Sequence, residues 1–214
     1  MSTSSALDDL TLDGQQRLGD YAHLLPSARQ VEATLVEWLR EDTPAFDVGG
    51  FVVGSSPAEA LLYAKSPGVL AGSPWVDGLF RLLDCQVEWT LKEGSLLDLA
   101  GRSRIEVARV TGPTRSVLQG ERIALNILAR CSGIATESRR FLVKARKAGY
   151  RGIIAGTRKT TPGFRMVEKY GMVVGGIDPH RYDLSSMVML KDNHIWAKGG
   201  SDGARAPSNG IGMS

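Results

Sequence analysis

The sequence predicts an α/β fold of the α+β class, in which an N-terminal α/β sandwich is followed by a second, parallel α/β part. Residues 26 to about 117 mix helix patterns with segments that alternate polar and apolar residues, as strands with one solvated face do. Residues 150–191 instead contain short apolar runs near glycines, which are typical of buried strands. The two halves therefore predict an open antiparallel sheet and then the beginning of a parallel one.

The first ordered element is predicted to be a helix that begins after Ser27. A serine followed three residues later by Gln30 has the form of a capping box. Apolar residues then recur at helical spacing, at Val31, Leu35, Trp38 and Leu39. The residues before it are polar and contain four aspartates, which argues against a secretory or transit signal and predicts a flexible leader.

Short strands and a second helix are predicted next. Ser73 followed by Pro74 marks a helix start, because proline is favoured at the first helical position. Residues 111–113 predict a turn, after which 116–118 are expected to pair back as a hairpin. The predicted strands are residues 51–53, 60–64, 86–91 and 105–110.

A long helix is predicted over residues 121–148, with a break at Ser132 and Gly133 and a C-terminal cap at Gly149. Cys131 lies on its apolar side and is expected in the core. Arg122 would lie in its first turn, where the helix dipole opposes a cation. Either solvent screens that charge or an anion lies there, and position alone favours solvent.

Cations follow or end each of three apolar runs, 152–155, 172–174 and 187–190. If these runs are neighbouring parallel strands, their cations meet at one edge of the sheet, where α/β proteins bind ligands. The sequence therefore predicts a positive surface for an anion. Its residues are Arg158, Lys159, His180, Arg181 and Lys191. Glu168 and Lys169, by contrast, are expected on the solvated face of a short helix.

The composition argues against several classes of protein. A net charge of +3 over 214 residues does not by itself indicate a nucleic-acid partner. Cys85 and Cys131 lie far apart without metal-ligand spacing, which predicts free thiols in a reducing compartment. No run approaches the roughly 18 apolar residues of a membrane helix, so no membrane partner and a cytoplasmic location are expected.

Six segments form an ordered set of motifs: AKSPGVLAG (64–72), GERIALN (120–126), GTRKTTPG (156–163), EKY (168–170), HRYD (180–183) and KDNH (191–194). Together they resemble the quinolinate phosphoribosyltransferases, also called carboxylating nicotinate-nucleotide pyrophosphorylases. The resemblance extends over roughly residues 26–197.

The resemblance implies a reaction, a cofactor and an assembly. Quinolinate and phosphoribosyl pyrophosphate, with Mg²⁺, give nicotinate mononucleotide, pyrophosphate and carbon dioxide, the entry step of de novo NAD biosynthesis. It also implies a sandwich joined to an unusual α/β barrel. The assembly would be a homodimer or a larger homo-oligomer in which each active site borrows from a neighbour.

The resemblance also implies the roles of single residues. Lys159 and Lys191 match two catalytic lysines near the reacting ribose and its phosphates. Arg122 matches an arginine offered to the quinolinate of the partner subunit. The other substrate-binding matches are Arg158, Thr160, His180 and Arg181. The family's acidic residues near the ribose and metal come from later strands, and no metal ligand can be matched here.

The predicted boundaries are a flexible leader at 1–25, a sandwich domain at 26–119, a linking helix with the first part of the barrel at 120–197, and a disordered, non-matching tail at 198–214. Because a closed barrel typically draws on well over 200 residues, the chain is expected to be a truncated form that lacks the closing strands.

Several functional alternatives stay open. The chain could be a non-catalytic truncated subunit that associates with the full-length enzyme, or a nicotinate-type phosphoribosyltransferase. A nucleic-acid binder that uses the positive surface is disfavoured by the modest net charge and the lack of a known binding motif.

Overall fold

A computed structural model describes residues 7–8, 10–11 and 27–198 of the chain. It divides into two compact units, Met1–His180 and Arg181–Ser214. Most of the predicted leader and all but the first residue of the predicted tail lie outside the described residues. Within the leader, Leu10 is buried, and the Asp8 carbonyl accepts a hydrogen bond from Lys147 Nζ at 2.9 Å. None of the described helices is long and apolar enough to cross a membrane.

The predicted first helix is confirmed as α1, Ala28–Asp42. Its capping box forms as expected: the Ser27 amide donates to Gln30 Oε1 at 2.9 Å, and the Gln30 amide donates to Ser27 Oγ at 3.4 Å. These bonds satisfy two amides that the first turn of a helix leaves without intrahelical partners. The apolar side of α1 reaches the core through Leu35, which is fully buried.

The predicted antiparallel sheet is also confirmed. Its strands are β1, Pro57–Ala64, β3, Gln86–Trp89, and β5, Ile105–Pro113, and they lie in the order β1-β5-β3. Val110 of the central strand is paired with Ala60 on one side and with Val87 on the other. A second antiparallel pair joins β2, Gly68–Val69, to β4, Leu96–Leu97. Helix α3, Ser73–Leu82, begins at the predicted Ser-Pro pair.

Three local predictions in this half are wrong. Residues 51–53 belong to helix α2, Val48–Val53, because the Asp47 carboxylate caps it by accepting from the Gly50 amide at 2.9 Å. Residues 111–113 continue β5 instead of turning. Residues 116–118 then lie in a helix instead of a hairpin, since the chain passes directly from Pro113 into it.

The long helix is confirmed as α4, Thr114–Lys147, but it starts earlier than predicted and has no break. Ser132 does not interrupt it, because its hydroxyl bonds another segment: Oγ accepts from the Ala71 amide at 3.0 Å and donates to the Ala71 carbonyl at 3.1 Å. Gly149 follows the end of α4 with φ of 81°, as its predicted capping role requires. Both cysteines are free and buried, which confirms the expectation of free thiols and of Cys131 in the core.

The three predicted parallel strands are not found. Residues 172–174 lie in helix α5, Arg165–Gly175. Of residues 152–155, Ala155 forms one isolated parallel bridge, to Asp178. In the second unit, residues 187–190 form no strand and precede the short helix α6, Asp192–Ala197. The described part of the chain is thus a mixed α/β fold with small antiparallel sheets, and no barrel appears in it.

The strand prediction for 172–174 is wrong because α5 is buried on nearly all sides, and a short apolar run suits a buried helix as well as a buried strand. Gly171 and Gly175 allow α5 to approach α4 closely. A Cβ atom at Gly171 would lie 2.7 Å from the Cys131 carbonyl oxygen, and one at Gly175 would lie 2.6 Å from that of Ala135. Residues with side chains at these two positions would hold the helices further apart.

Glu93 links α5 to the sandwich. Its carboxylate accepts from the Gly72 amide at 2.7 Å and from the Ser73 amide at 3.0 Å, so it caps α3 from a distant loop. It also faces Tyr170 of α5. Burial, followed by the charge and the hydrogen bond of Glu93, raises the pKa of the Tyr170 hydroxyl, so that it stays protonated.

The close approach of α5 to α4 predicts the effect of Gly175→Ala. This substitution should lower the free energy of unfolding by about 1–3 kcal/mol, because the new methyl group meets the backbone of α4. Gly133→Ala is the matched control, since a Cβ atom there meets nothing within 4 Å. It should raise the stability by about 0.5–1 kcal/mol, as expected for glycine replaced within a helix. Urea unfolding followed by circular dichroism measures both, and equal effects of the two substitutions would contradict the close approach.

Candidate active site

The centre of the candidate site is the loop at residues 156–163, here called the cationic loop, which runs from the parallel bridge to α5. The Gly156 amide donates to the Asp178 carbonyl at 2.7 Å, and this bond starts the loop beside the bridge. Inside it, the Lys159 amide donates to Thr157 Oγ1 at 3.1 Å and the Thr160 amide to the Arg158 carbonyl at 3.0 Å. These short-range bonds fold the Arg158–Thr160 backbone into tight turns.

Helix α5 holds the far end of the cationic loop. Arg165 Nε donates to Thr160 Oγ1 at 3.0 Å. The Glu168 carboxylate accepts two bonds from Thr161, from the amide at 3.0 Å and from the hydroxyl at 2.7 Å. Arg130 of α4 lies 3.9 Å from the same carboxylate, at ion-pair distance. The loop is thus bonded to the helix that follows it.

The prediction that Glu168 and Lys169 lie on a solvated face is wrong, since their exposed fractions are 5% and 3%. Lys169 Nζ donates to the Thr157 carbonyl at 3.2 Å, to the His180 carbonyl at 3.4 Å and to the Pro179 carbonyl. Burial, then the charges of Arg165 and Arg158, lowers the pKa of Lys169, although Asp178 partly opposes them. One ammonium group therefore contacts both segments that carry predicted substrate-binding residues.

Arg158 is half-buried and lies close enough to Lys169 to influence its pKa. Its Nε is buried and has no hydrogen-bond partner within residues 27–198. A buried N–H group without a partner is costly, and a carboxylate oxygen could accept from it. The next residue, Lys159, is exposed. Arg158 is therefore the predicted site residue whose surroundings most directly suit an anion.

His180 lies at the end of the first unit in a strained backbone conformation, with φ of 60°. The left-handed region costs a non-glycine residue about 1–2 kcal/mol. Two contacts hold it there: its amide donates to Asp178 Oδ1 at 2.6 Å, and its carbonyl accepts from Lys169. Strain that is held in this way is common at binding sites.

Arg122 lies apart from this cluster, on α4. Because α4 begins at Thr114, Arg122 is not in its first turn, and the predicted conflict with the helix dipole does not arise. Its side chain is 65% exposed and 3.9 Å from the Glu121 carboxylate. It lines an open cavity of about 1330 Å³ that is also lined by both ends of the cationic loop, including Thr157 and Pro162.

The second unit holds the two remaining predicted residues. Arg181 is buried and Lys191 is exposed at the start of α6. The Lys191 amide donates to His194 Nδ1 at 3.1 Å, so His194 caps its own helix. The structure thus groups Arg158, Thr160 and His180 around α5 in the first unit. The meeting of these residues with Arg181, Lys191 and a partner's Arg122 stays a prediction.

Sequence reasoning missed the side chains that support the cationic loop and His180, which are Arg130, Arg165, Glu168, Lys169 and Asp178. One signal was present: two adjacent charges, Glu168 and Lys169, stand in an otherwise apolar helix and inside a motif that carried the family resemblance. Charged residues are rarely buried without partners, so such a pair indicates a bonded site.

A protein-bound magnesium ion does not fit the described part of the site. Within residues 7–8, 10–11 and 27–198, no three histidine, cysteine, aspartate or glutamate side chains come together to hold a metal. The side chains around the cationic loop are mainly cations and hydroxyls, which are poor Mg²⁺ ligands. We therefore derive no chemical step through magnesium.

Comparisons with family models, with curated relatives and with solved structures all point to the family that the six motifs resemble. Residues 44–132 match the family model "Quinolinate phosphoribosyl transferase, N-terminal domain", and residues 134–206 match its C-terminal domain. The chain is 54% identical over 183 residues to the nicotinate-nucleotide pyrophosphorylase [carboxylating] of Homo sapiens, covering 86% of this chain and 60% of that protein. The Rattus norvegicus protein is 52% identical over 181 residues, covering 85% and 59%.

Solved structures agree with the sequence matches. The crystal structure of NadC from Streptococcus pyogenes has a TM-score of 0.71 at 37% identity, over 81% of this chain and 62% of that one. The nicotinate-nucleotide pyrophosphorylase of Francisella tularensis has a TM-score of 0.72 at 26% identity, over 87% and 64%. The chain spans about three fifths of the length of these relatives. With both domain models matched in order, it belongs to the quinolinate phosphoribosyltransferase family.

Proposed function

We propose that this chain takes part in the quinolinate phosphoribosyltransferase reaction. Quinolinate and phosphoribosyl pyrophosphate would give nicotinate mononucleotide, pyrophosphate and carbon dioxide, in NAD biosynthesis in the cytoplasm. The observation that carries the proposal is the group around Lys169. Arg158, whose buried Nε has no hydrogen-bond partner among the described residues, and His180 both lie next to one buried ammonium. The human and rat relatives, both carboxylating nicotinate-nucleotide pyrophosphorylases, support the same reaction.

Dense positive charge suits these substrates. Quinolinate is a dicarboxylate and the sugar donor carries several phosphate charges, so the two would repel each other in a neutral site. At an effective dielectric of about 20, one charge pair at 4 Å is worth about 4 kcal/mol, which means that several cations are needed. The planar fork of Arg158 suits a carboxylate, whereas Lys159 suits a phosphate as a mobile point charge.

The proposed chemistry leaves mainly positioning and electrostatics to the protein. Pyrophosphate leaves the ribose with the electron pair of the bond to carbon 1, and the quinolinate ring nitrogen donates its lone pair to that carbon. When the adjacent carboxylate leaves as carbon dioxide, the electron pair stays on that ring carbon, where the positive nitrogen beside it stabilises it, and a proton from water then bonds to the carbon. Arg158, His180 and Arg181 would hold quinolinate, Thr160 would orient it, and Lys159 and Lys191 would stabilise the phosphates.

An incomplete barrel belongs to the same proposal. Its support is the parallel bridge between Ala155 and Asp178, with α5 as the intervening helix, because a helical crossover between parallel strands is the repeating unit of such barrels. Mg²⁺ is implied by the family alone.

The proposed assembly is a homodimer or larger homo-oligomer in which Arg122 reaches the quinolinate of a partner subunit. Its support is the exposure of Arg122 and its place on the wall of a wide, open cavity. A non-catalytic subunit, which would supply Arg122 to a longer partner, is the main alternative and requires the same exposed arginine.

The first test is release of carbon dioxide from quinolinate labelled in the 2-carboxylate, with phosphoribosyl pyrophosphate and Mg²⁺. Arg158→Ala should reduce the rate about 10- to 100-fold, since it removes charged hydrogen bonds worth about 1.5–3 kcal/mol each. Arg151→Ala, an equal loss of charge at a nearby exposed arginine, should leave the rate within about twofold. If the unchanged chain binds quinolinate but releases no carbon dioxide, the non-catalytic alternative is supported instead.

The second test concerns Arg122. Arg122→Ala and Arg158→Ala should each abolish quinolinate binding by their own oligomers in equilibrium dialysis. After the two variants are unfolded and refolded together at equal concentration, about a quarter of the sites should bind again. Half of the dimers are then mixed, and one of their two sites carries neither substitution. Mixed oligomers without any recovered site would show that Arg122 acts within its own chain.

A further inference from the structure

Lys169 occupies an unusual place for a lysine. It lies on α5 with 3% of its surface exposed, and all three hydrogens of its ammonium have carbonyl partners. These carbonyls belong to two separate segments, Thr157 in the cationic loop and Pro179 with His180 beyond α5. The Lys169 Nζ atom therefore bonds two stretches of chain that are separated in sequence by the whole of α5.

Both stretches carry residues for the proposed substrate. Arg158 and Lys159 directly follow the bonded carbonyl of Thr157, and His180 supplies one of the bonded carbonyls itself. Since Thr157 and His180 each bond within 3.4 Å of the same Nζ atom, Lys169 limits how far apart the two segments can move. The separation of the Arg158 and His180 side chains depends on this distance.

The arrangement is costly, which argues that it does more than fill space. Burial and the nearby charges of Arg165 and Arg158 disfavour the ammonium, and Asp178 is the neighbouring group that favours it. A methionine of similar shape would avoid the cost of a buried charge. It would, however, remove the donor that three carbonyls share and one of the contacts that hold the strained His180 backbone.

We infer that Lys169 is a positioning residue that joins the cationic loop and residues 178–180 into one anion-binding site. Glu168 assists by bonding Thr161, at the other end of the cationic loop. Lys169 therefore fixes the spacing between the two segments, whereas Glu168 holds the cationic loop alone. The ligand class, a dicarboxylate such as quinolinate, rests on the proposed function, but the joining of the two segments does not.

The test uses the full 214-residue chain and hydrogen exchange measured by mass spectrometry without ligand. Lys169→Met should raise exchange at least tenfold at both ends of the site, at the amides of Thr161 and Gly156 and at those of Asp178 and His180. Glu168→Gln should raise it in the cationic loop alone. Lys144→Met, at an exposed position of α4, is the matched loss of charge and should change neither segment.

The pattern separates positioning from a general structural role. Faster exchange throughout α1, α4 and the sheet in Lys169→Met would overturn the inference, and so would unchanged exchange in either segment. If Lys169→Met does not fold, Lys169→Arg decides: its guanidinium retains donors, so protection of both segments should be kept, and loss of it only in the cationic loop would contradict the joining role.

Calorimetric titration with quinolinate adds the ligand. Lys169→Met should weaken binding at least tenfold, and Lys144→Met should not. If the unchanged chain does not bind quinolinate, the proposed function fails, and the exchange pattern alone decides the role of Lys169. Tight binding by Lys169→Met, with both segments loosened, would show that the joining does not serve the ligand.

Stability against pH provides an independent readout. The folded chain holds the Lys169 proton less tightly than the unfolded chain, whose lysines titrate at a pKa of about 10.4. Between the two pKa values the unfolded state binds more protons, so the free energy of unfolding due to Lys169 rises with pH. Relative to Lys169→Met, the unchanged protein should therefore gain stability as the pH approaches about 10 in urea unfolding. Parallel pH profiles would contradict a net cost of burying the Lys169 ammonium.

Discussion

The close contact between α4 and α5 determines where the candidate site can form. Gly171 and Gly175 have no side chains, so the backbone of α5 lies almost directly on that of α4 near Cys131 and Ala135. Protein interiors are packed densely and do not yield to an added methyl group without cost. Any residue larger than glycine would therefore move α5, and with it Arg165, Glu168 and Lys169, away from their partners in the loop.

The polar groups that hold the candidate site lie on or next to α5, so their positions depend on this contact. Glu93 caps α3 and faces Tyr170, so the sandwich and α5 share one half-buried carboxylate. Lys169, the residue before Tyr170, donates from its ammonium to carbonyls of the cationic loop and of residues 178–180. Glu168 bonds Thr161 in the cationic loop. Rigid elements thus hold the backbone from which Arg158 and His180 project, as binding sites generally require.

Several parts of this structure were readable from residues alone. The capping box of α1 and the glycine after α4 were predicted correctly because their partners lie within a few residues. The strands of the sheet were found because polar and apolar residues alternate within each segment. Two of the errors share a cause. Residues 51–53 and 172–174 are short apolar runs, and such runs suit a strand or a buried helix equally well until caps and packing decide.

The sequence by itself determined the family and the identity of the residues that carry charge, since six ordered motifs specify side chains whatever their placement. Only the tertiary structure decided which charges are buried. Lys169 was predicted to be solvated, yet its ammonium is enclosed because its three acceptors come from segments 12, 11 and 10 residues away, brought together by α5. Bonds between distant segments depend on packing, so local patterns do not specify which groups they join.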